Sequence, residues 1–217
     1  MNFAKKLNEK FKIVLASASP RRRELMELAG LEFDVWPSNG EEDIRSSVPG
    51  DICVELSRQK ALDVASQIRT YNEQHRDLTS PADILVIGAD TVVAFDGVVF
   101  GKPKDADDAA KMLRTLSGNT HIVYTGVTFV FMSSTGRAGE YTFCDETKVT
   151  FYDLDEDDIE AYIATGDPFD KAGSYGVQTG SATFVRSMEG DFYNVMGLPI
   201  ARLLAELKGI MRIGDGS

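Results

Sequence analysis

A short apolar run near the start of the chain, Ile13 to Ala16, passes directly into a helical pattern. The next residues, RRRELMELAG, carry apolar side chains at helical spacing. Ser19 stands at the cap position, Pro20 at the first helical position and Gly30 just past the end, and these residue types begin and end helices. A strand that leads at once into a capped helix predicts an α/β fold.

Further along the chain, strand and helix patterns first alternate and then give way to paired strands. The predicted elements are a helix from about Asp51 to Thr70, a strand from Ile84 to Gly88, a hairpin of Val92–Phe95 with Val98–Phe100, helices opened by Asp105 and Asp155, two β segments on either side of residues 133–136, a strand from Ser181 to Ser187 and a helix from Pro199 to Lys208. This order predicts one mixed sheet flanked by helices. We expect a single domain over residues 12–209, an N-terminal extension over residues 1–11 and a flexible tail over residues 210–217.

The net charge limits the partners of the chain. Its 217 residues include 23 Lys and Arg against 34 Asp and Glu, which gives a formal charge of −11. Such an excess of acid repels nucleic acids and anionic lipid surfaces at long range, so we expect no nucleic acid and no membrane as partner. A small anionic substrate is still compatible with this charge, because a few cations gathered in one cleft can dominate the local field.

The two cysteines, Cys53 and Cys144, are too few for a disulfide framework and lack CxxC spacing. They favour a reducing compartment, and we interpret both as small core residues. No apolar run approaches the roughly 18 residues of a membrane span. The N-terminal segment also lacks the apolar stretch of a secretion signal, so we expect a cytoplasmic protein.

The segment from Ser17 to Arg23 has the chemistry of an anion site. A Ser-Pro helix start directs backbone N–H groups outward at the positive end of the helix dipole, and three arginines add forked donors that match phosphate. The alternative is a capped helix with a solvated basic first turn. Cations at a helix N-terminus are electrostatically misplaced unless an anion joins them, and this favours the anion site.

Other candidate residues lie in four further segments. Asp90 follows a buried strand in the sequence GADT, so we expect it beyond the carboxyl end of that strand, where it can bind Mg²⁺, act as a base or merely start a turn. Taken alone, the acidic triplet around Glu42 is more typical of a solvated loop than of a metal site, and a Lys in a Gly-Pro turn, such as Lys102, is usually just exposed. The segment from Asp167 to Gln178 suits ligand contact better than packing. His121 opens a strand, and its role stays open.

Several segments together resemble the Maf family of nucleoside triphosphate pyrophosphatases. They are SASPRRREL, the Glu41-Glu42 pair, RQKA around Lys60, GADTVV, GKPKDADDAAKML, LSGNTHIVYTGV, DKAGSYGVQ and VMGLP, which occur in the family's order from about Ile13 to Leu207. The resemblance implies one α/β domain related to the inosine triphosphatases, with an elongated mixed sheet and a deep cleft between two lobes. It also implies hydrolysis between the α- and β-phosphates of a nucleoside triphosphate, with Mg²⁺ or Mn²⁺, as a house-cleaning activity on the nucleotide pool.

The resemblance implies roles for the residues at matching positions. Asp90 matches the catalytic acid-base position, and Glu42 with Asp90 matches the metal-binding carboxylates. The positions that match substrate- or phosphate-binding residues are Ser17, Ser19, Arg21, Arg22, Lys60, Lys102 and Lys171. Whether Asp90 serves as base, metal ligand or both stays open at this point.

Three positions bear on the choice of substrate. Arg21, Thr91 and Gln178 stand where family members that prefer dTTP and UTP carry Arg, Thr and Gln. A neutral amide can donate to a pyrimidine carbonyl and accept from its N–H, whereas a glutamate can only accept. Modified pyrimidine nucleotides are further candidate substrates. The alternatives are a pyrophosphatase that prefers 7-methyl-GTP or inosine triphosphate and a non-catalytic, nucleotide-sensing regulator of cell division. Since relatives tend to form dimers, the resemblance also suggests a homodimer.

Overall fold

A mixed sheet of seven strands lies at the centre of the computed structural model, which describes residues 2–75, 83–134 and 137–214. The strands are β1 (Phe11–Leu15), β2 (Phe33–Val35), β3 (Asp83–Phe95), β4 (Val98–Phe100), β5 (Thr120–Met132), β6 (Ala138–Phe151) and β7 (Val185–Glu189). The helices are α1 (Asn2–Lys10), α2 (Pro20–Leu28), α3 (Pro49–His75), α4 (Ala106–Leu116), α5 (Glu156–Ala164), α6 (Phe192–Met196) and α7 (Ile200–Gly214). The predicted α/β class is confirmed.

The strand order explains why the sheet is mixed. It runs β2-β1-β3-β5-β6-β7, with β4 beside β3. β1 is parallel to β2 and β3, because α2 and α3 return the chain over the sheet, whereas the later strands are antiparallel. The predicted helix caps are confirmed as well: Asp105 accepts a hydrogen bond from the backbone of Asp108, and Asp155 does so from Asp158.

β3 differs from its prediction, and the difference explains where a cavity opens. It is one strand of 13 residues, so the expectation that a strand ends before Asp90 is wrong. β5 covers one edge of β3 from Ile84 to Ala94, and it holds the backbone extended through Asp90. On the other edge β1 pairs only as far as Ile87, and β4 pairs only from Val93. Among the residues that the structure describes, no strand pairs with the stretch between them on that edge, and a cavity opens there.

The two faces of the sheet are buried under different layers. Side chains alternate between the faces along each strand. Val14, Val86 and Val130 pack with Ala61 and Ile68 of α3 on one face. A larger cluster on the other face includes residues of α1, α2, α4, α5 and α7. Asp90 and Thr91 are neighbours in β3 and therefore face opposite sides of the sheet. Asp90 contacts Lys60 of α3, and Thr91 contacts Arg22 of α2.

The C-terminal third departs from its prediction at two places. The predicted strand from Ser181 to Ser187 is a 3-10 helix at Gly180–Phe184 followed by β7. The buried Ser181 hydroxyl exchanges hydrogen bonds with the backbone of Gly176, which holds this segment as a turn. The predicted tail is helical as far as Gly214, and residues 215–217 lie outside the described part.

The N-terminal extension is an ordered helix, α1. Its Ala4 and Leu7 are buried, and α1 packs against β1 and α7.

The two cysteines lie next to each other although 91 residues separate them in the chain. Cys53 is buried, Cys144 is half-buried, and their free Sγ atoms lie 3.4 Å apart.

Candidate active site

The gap beside β3 opens into a cavity of about 980 Å³. It collects every residue that the sequence singled out as a site residue: Ser17, Ser19, Arg21, Arg22, Glu42, Lys60, Asp90, Thr91, Lys102, Lys171 and Gln178. The end of β1, the start of α2 and α3 form one side of this cavity. β4, the loop at Lys102 and the loop at residues 170–178 form the other. The structure thus brings the predicted residues together, while their individual roles remain predictions.

Asp90 lies at the centre of a charged cluster on the α3 face of the sheet. The Nζ atom of Lys60 donates to Asp90 Oδ1 and lies 3.0 Å from Glu42 Oε1. The Asp90 side chain is 13% exposed and that of Lys60 is 21% exposed, so little water screens the pair. The two carboxylates therefore converge on one cationic position.

Two glycines allow α3 to bring Lys60 close to Asp90. A Cβ on Gly88 of β3 would lie 2.3 Å from the carbonyl oxygen of Ser57, and a Cβ on Gly126 of β5 would lie 2.2 Å from that of Cys53. Both carbonyls belong to the backbone of α3, so the helix rests directly on the sheet where these side chains are missing. The GAD and YTGV segments thus allow the close packing of α3, and GAD also supplies Asp90 to the cavity.

The start of α2 forms the wall of the cavity next to β1. Ser19 is the N-cap residue and Pro20 occupies the first turn, as predicted, but the Ser19 side chain makes no capping hydrogen bond. The Ser17 hydroxyl accepts a hydrogen bond from the Ser19 amide at 3.3 Å. The Ser19 hydroxyl therefore stays near the positive end of the helix dipole, a position that is favourable for anions, without capping the helix.

Arg22 is tied to the protein more tightly than its predicted phosphate contact suggests. Nε donates to the Gly197 carbonyl at 2.8 Å, Nη1 to Ser17 Oγ at 3.2 Å and Nη2 to Thr91 Oγ1 at 3.0 Å. These bonds join α2 to β3 and to the VMGLP segment. A guanidinium has five N–H donors, so only the remaining two can contact a substrate.

Arg21 and Lys171 share acidic partners that the sequence did not assign to them. Lys171 Nζ donates to Asp167 Oδ1 at 2.8 Å and to Asp170 Oδ1 at 2.7 Å, and Arg21 Nη1 donates to Asp170 Oδ2 at 3.0 Å. Burial alone would raise the pKa of Asp167, but donation from Lys171 and Thr179 lowers it below its ordinary value. This cluster fixes the loop after α5 to the start of α2.

Lys102 and Gln178 complete the predicted set from the far side of the cavity. Both are exposed, and neither has a hydrogen-bond or ion-pair partner within the described residues. Among the cations of the cavity, Lys102 is therefore the most accessible to an anionic ligand. Gln178 presents an amide with donor and acceptor capacity.

His121, whose role the sequence left open, anchors the loop at residues 171–178. Its Nε2 lies 2.7 Å from the hydroxyl of Tyr175, and both side chains are buried. Tyr175 lines the cavity, so this bond sets the position of one wall. Burial lowers the pKa of His121 to about 4 and raises the pKa of Tyr175, so the imidazole is neutral at pH 7.

The buried His121 predicts a pH dependence of stability. Between pH 6.5, its ordinary pKa, and about 4, the unfolded chain binds a proton at His121 that the folded protein does not. The free energy of unfolding is therefore expected to fall as the pH is lowered through this window, by up to about 1.4 kcal/mol per pH unit. Urea denaturation from pH 7 to 4 measures this slope. His121→Gln does not titrate, and its slope is expected to be shallower; equal slopes would contradict the prediction.

Sequence reasoning missed the apolar lining of the cavity. Ile52 and Leu56 of α3 belong to it, together with Val195, beside Tyr175 and Val177 of the segment that was expected to contact a ligand. The side chains of Ile52, Leu56 and Val195 carry no reactive group, so no motif identifies them before the topology is known. Their apolar surface can shelter a flat ligand group beside the charged cluster.

Comparison with known proteins shows which proteins the chain is similar to. A family model described as "Maf-like protein" matches residues 12–210. A protein of Agathobacter rectalis named dTTP/UTP pyrophosphatase is 57% identical over 196 residues, which are 90% of this chain and 96% of that protein. A protein of Bacillus cytotoxicus with the same name is 49% identical over 198 residues, 91% of this chain and 94% of that protein.

Solved structures resemble the chain more distantly. One described as "Structure of a HAM1 protein from Coxiella burnetii" is 14% identical, covers 92% of this chain and 99% of that chain, and has a TM-score of 0.43.

Proposed function

Since this chain belongs to the Maf family, we propose that it hydrolyses dTTP and UTP to the nucleoside monophosphate and pyrophosphate. The observation that carries this proposal is the convergence of Asp90, Glu42 and five cationic side chains on one cavity of about 980 Å³. The volume falls within the range of small-molecule sites. The relatives named dTTP/UTP pyrophosphatase support the choice of pyrimidine substrates, and we assign the selection to Arg21, Thr91 and Gln178.

The proposed chemistry rests on how the charges are divided. Lys102 and the start of α2 receive the phosphates, since their donors are accessible, and Lys60 balances the negative charge beside Asp90. One oxygen of Asp90, Oδ1, accepts from Lys60. Its other oxygen has no protein partner within the described residues, and there it takes a proton from the attacking water.

We propose Mg²⁺ or Mn²⁺ as the cofactor, held by Glu42 and Asp90. The carboxylates fit such an ion, because Glu42 and Asp90 lie close enough together for both to contact Lys60, and carboxylate oxygens are ligands that Mg²⁺ prefers. No group of three or more metal-ligating side chains occurs in the described part of the chain. Two carboxylates still suffice, since Mg²⁺ is commonly held by one or two carboxylates together with substrate phosphates. When bound, the metal neutralises phosphate charge.

We further propose that the protein acts in the cytoplasm, does not bind nucleic acid and forms a homodimer. The net charge of −11 supports the exclusion of polyanions. Among the described residues, no helix could cross a membrane. Light scattering measures the oligomeric state, and a monomer at working concentration would overturn the dimer.

A substrate panel tests the proposed reaction. We expect the purified protein with Mg²⁺ or Mn²⁺ to release pyrophosphate from dTTP and UTP faster than from ATP, inosine triphosphate or 7-methyl-GTP. A preference for 7-methyl-GTP or inosine triphosphate would overturn the substrate assignment. Tight nucleotide binding with no release of pyrophosphate would favour the non-catalytic regulator.

A further inference from the structure

A continuous chain of hydrogen bonds runs beneath the cavity from Arg22 to the backbone of Asn194. Arg22 Nη2 donates to Thr91 Oγ1, Thr91 Oγ1 contacts Thr125 Oγ1, and Thr125 Oγ1 donates to the Asn194 carbonyl. Each of these contacts measures 3.0 Å. Thr125 is fully buried and does not line the cavity, whereas Thr91 does.

The two ends of the chain fix the direction of every proton in it. A guanidinium can only donate and a carbonyl can only accept. Thr125 has a single hydroxyl proton, and it is committed to the Asn194 carbonyl. In the contact between the threonines, Thr91 must therefore be the donor. The opposite order would leave Thr125 Oγ1 and the carbonyl oxygen facing each other at 3.0 Å without a proton between them.

The acceptor at the end of the chain is itself held in place. The Nδ2 atom of Asn194 donates to the Val123 carbonyl and to Thr147 Oγ1, each at 3.0 Å. The Asn194 carbonyl also accepts from the Gly197 amide at 3.0 Å. Because Asn194 and Thr125 are both fully buried, water does not compete for these bonds. The order of protons is thus a property of the fold.

This order leaves the Thr91 hydroxyl with one kind of capacity toward the cavity. Its proton goes to Thr125 and one of its two lone pairs accepts from Arg22, so one lone pair remains. We propose that Thr125 is a positioning residue that makes Thr91 an acceptor-only contact, and that Thr91 selects substrates presenting a hydrogen-bond donor at that point. This inference rests on the proposed function and deepens it.

Two parts of a pyrimidine nucleotide can supply the donor. Uracil and thymine carry an N3–H group, whereas cytosine has a lone pair at N3. The sugar supplies a donor through its 3′-hydroxyl in both UTP and dTTP. Gln178 can donate as well as accept and does not by itself discriminate between these bases. A Thr91 hydroxyl that can only accept discriminates between uracil or thymine and cytosine if it contacts N3 of the base.

Binding of uncleavable analogues to the unmodified protein separates the two sources. The probes are the α,β-methylene triphosphates of uridine, cytidine, N3-methyluridine and 3′-deoxyuridine, measured by isothermal titration calorimetry. Loss of one neutral hydrogen bond is expected to weaken binding by about tenfold. Weaker binding of cytidine and N3-methyluridine assigns the donor to the base, and weaker binding of 3′-deoxyuridine alone assigns it to the sugar. Equal affinity for all four overturns the inference.

Substitution of Thr125 tests its positioning role. Thr125→Val removes the acceptor of the Thr91 proton, so Thr91 becomes able to donate. The preference for the favoured probe is expected to shrink by about tenfold, while Thr125→Ser keeps the chain and restores it. A preference that Thr125→Val leaves unchanged, or equal weakening of all probes, overturns the role. If Thr125→Val does not fold, a loss of preference in the folded Thr125→Ser protein overturns it.

These measurements stand apart from the test of the proposed reaction. The analogues report on binding alone, because a methylene group bridges their α- and β-phosphorus atoms and its P–C bonds are not hydrolysed. A protein that prefers the uridine probe but releases no pyrophosphate from UTP would overturn the proposed reaction and leave the role of Thr125 intact. A protein that hydrolyses UTP but binds all probes equally would overturn the role of Thr125 and leave the proposed reaction intact.

Discussion

Asp90→Asn is expected to lower kcat for pyrophosphate release from dTTP by roughly 10²–10⁴-fold, the usual contribution of a positioned acid or base. Asparagine has nearly the same shape as aspartate but cannot accept a proton from the attacking water at pH 7. It also removes one of the two negative charges that face Lys60. The other is Glu42, whose Oε1 atom lies 3.0 Å from Lys60 Nζ. Steady-state rates with dTTP and UTP, measured at saturating metal, give the loss directly.

Asp96→Asn provides a matched control for this substitution. Asp96 lies at the exposed turn after β3, outside the cavity, and its positive φ of 50° suits asparagine as well as aspartate. Its rates are expected to equal those of the unmodified protein. If Asp90→Asn retained a kcat within a few-fold of that value, Asp90 would not be the catalytic group.

Gly88→Ala is expected to destabilise the protein by about 3 kcal/mol and to abolish most of its activity. The new Cβ would lie 2.3 Å from the carbonyl oxygen of Ser57 and 2.8 Å from the backbone nitrogen of Ala61, and both atoms belong to the backbone of α3. No side-chain rotation relieves such a contact, so α3 must move away from the sheet. Lys60 moves with it and loses its place beside Asp90. Urea denaturation and the dTTP assay measure the two effects.

Gly209→Ala tests whether the effect belongs to this contact rather than to any added methyl group. Gly209 lies in α7, and a Cβ placed there meets no atom within 4 Å. Alanine in a helix is more favourable than glycine by roughly 0.5–1 kcal/mol, so this variant is expected to be as stable as the unmodified protein or slightly more so. Equal stability of Gly88→Ala and Gly209→Ala would show that the packing of α3 tolerates a side chain.

Local signals in the sequence were sufficient where a structure depends on neighbouring residues. Ser19 with Pro20 begins α2, and Asp105 and Asp155 cap α4 and α5, as their residue types indicate. The prediction failed at Asp90 because Asp is depleted in strands and common in turns. The pairing of this segment with β5 overrode that local preference.

The sequence predicted which charged residues belong to the site better than it predicted the contacts among them. Motifs and the family resemblance identified most of the charged residues that line the cavity, including Arg22 and Lys171. They did not show that Arg22 donates three hydrogen bonds to other residues of the protein. Nor did they show that Lys171 contacts both Asp167 and Asp170. Such pairings join segments that are far apart in the chain, so no local spacing encodes them.

The sequence by itself determined the order of strands and helices and the set of cations and carboxylates that the site uses. It also determined the excess of acid in exposed helix caps such as Asp105 and Asp155. Only the tertiary structure decided where that chemistry meets. β1 stops at Leu15 and β4 pairs only from Val93 of β3, and the unpaired edge between them forms the cavity. The same topology places Thr125 beneath Thr91 and fixes its proton, because hydrogen-bond direction depends on partners that folding brings together.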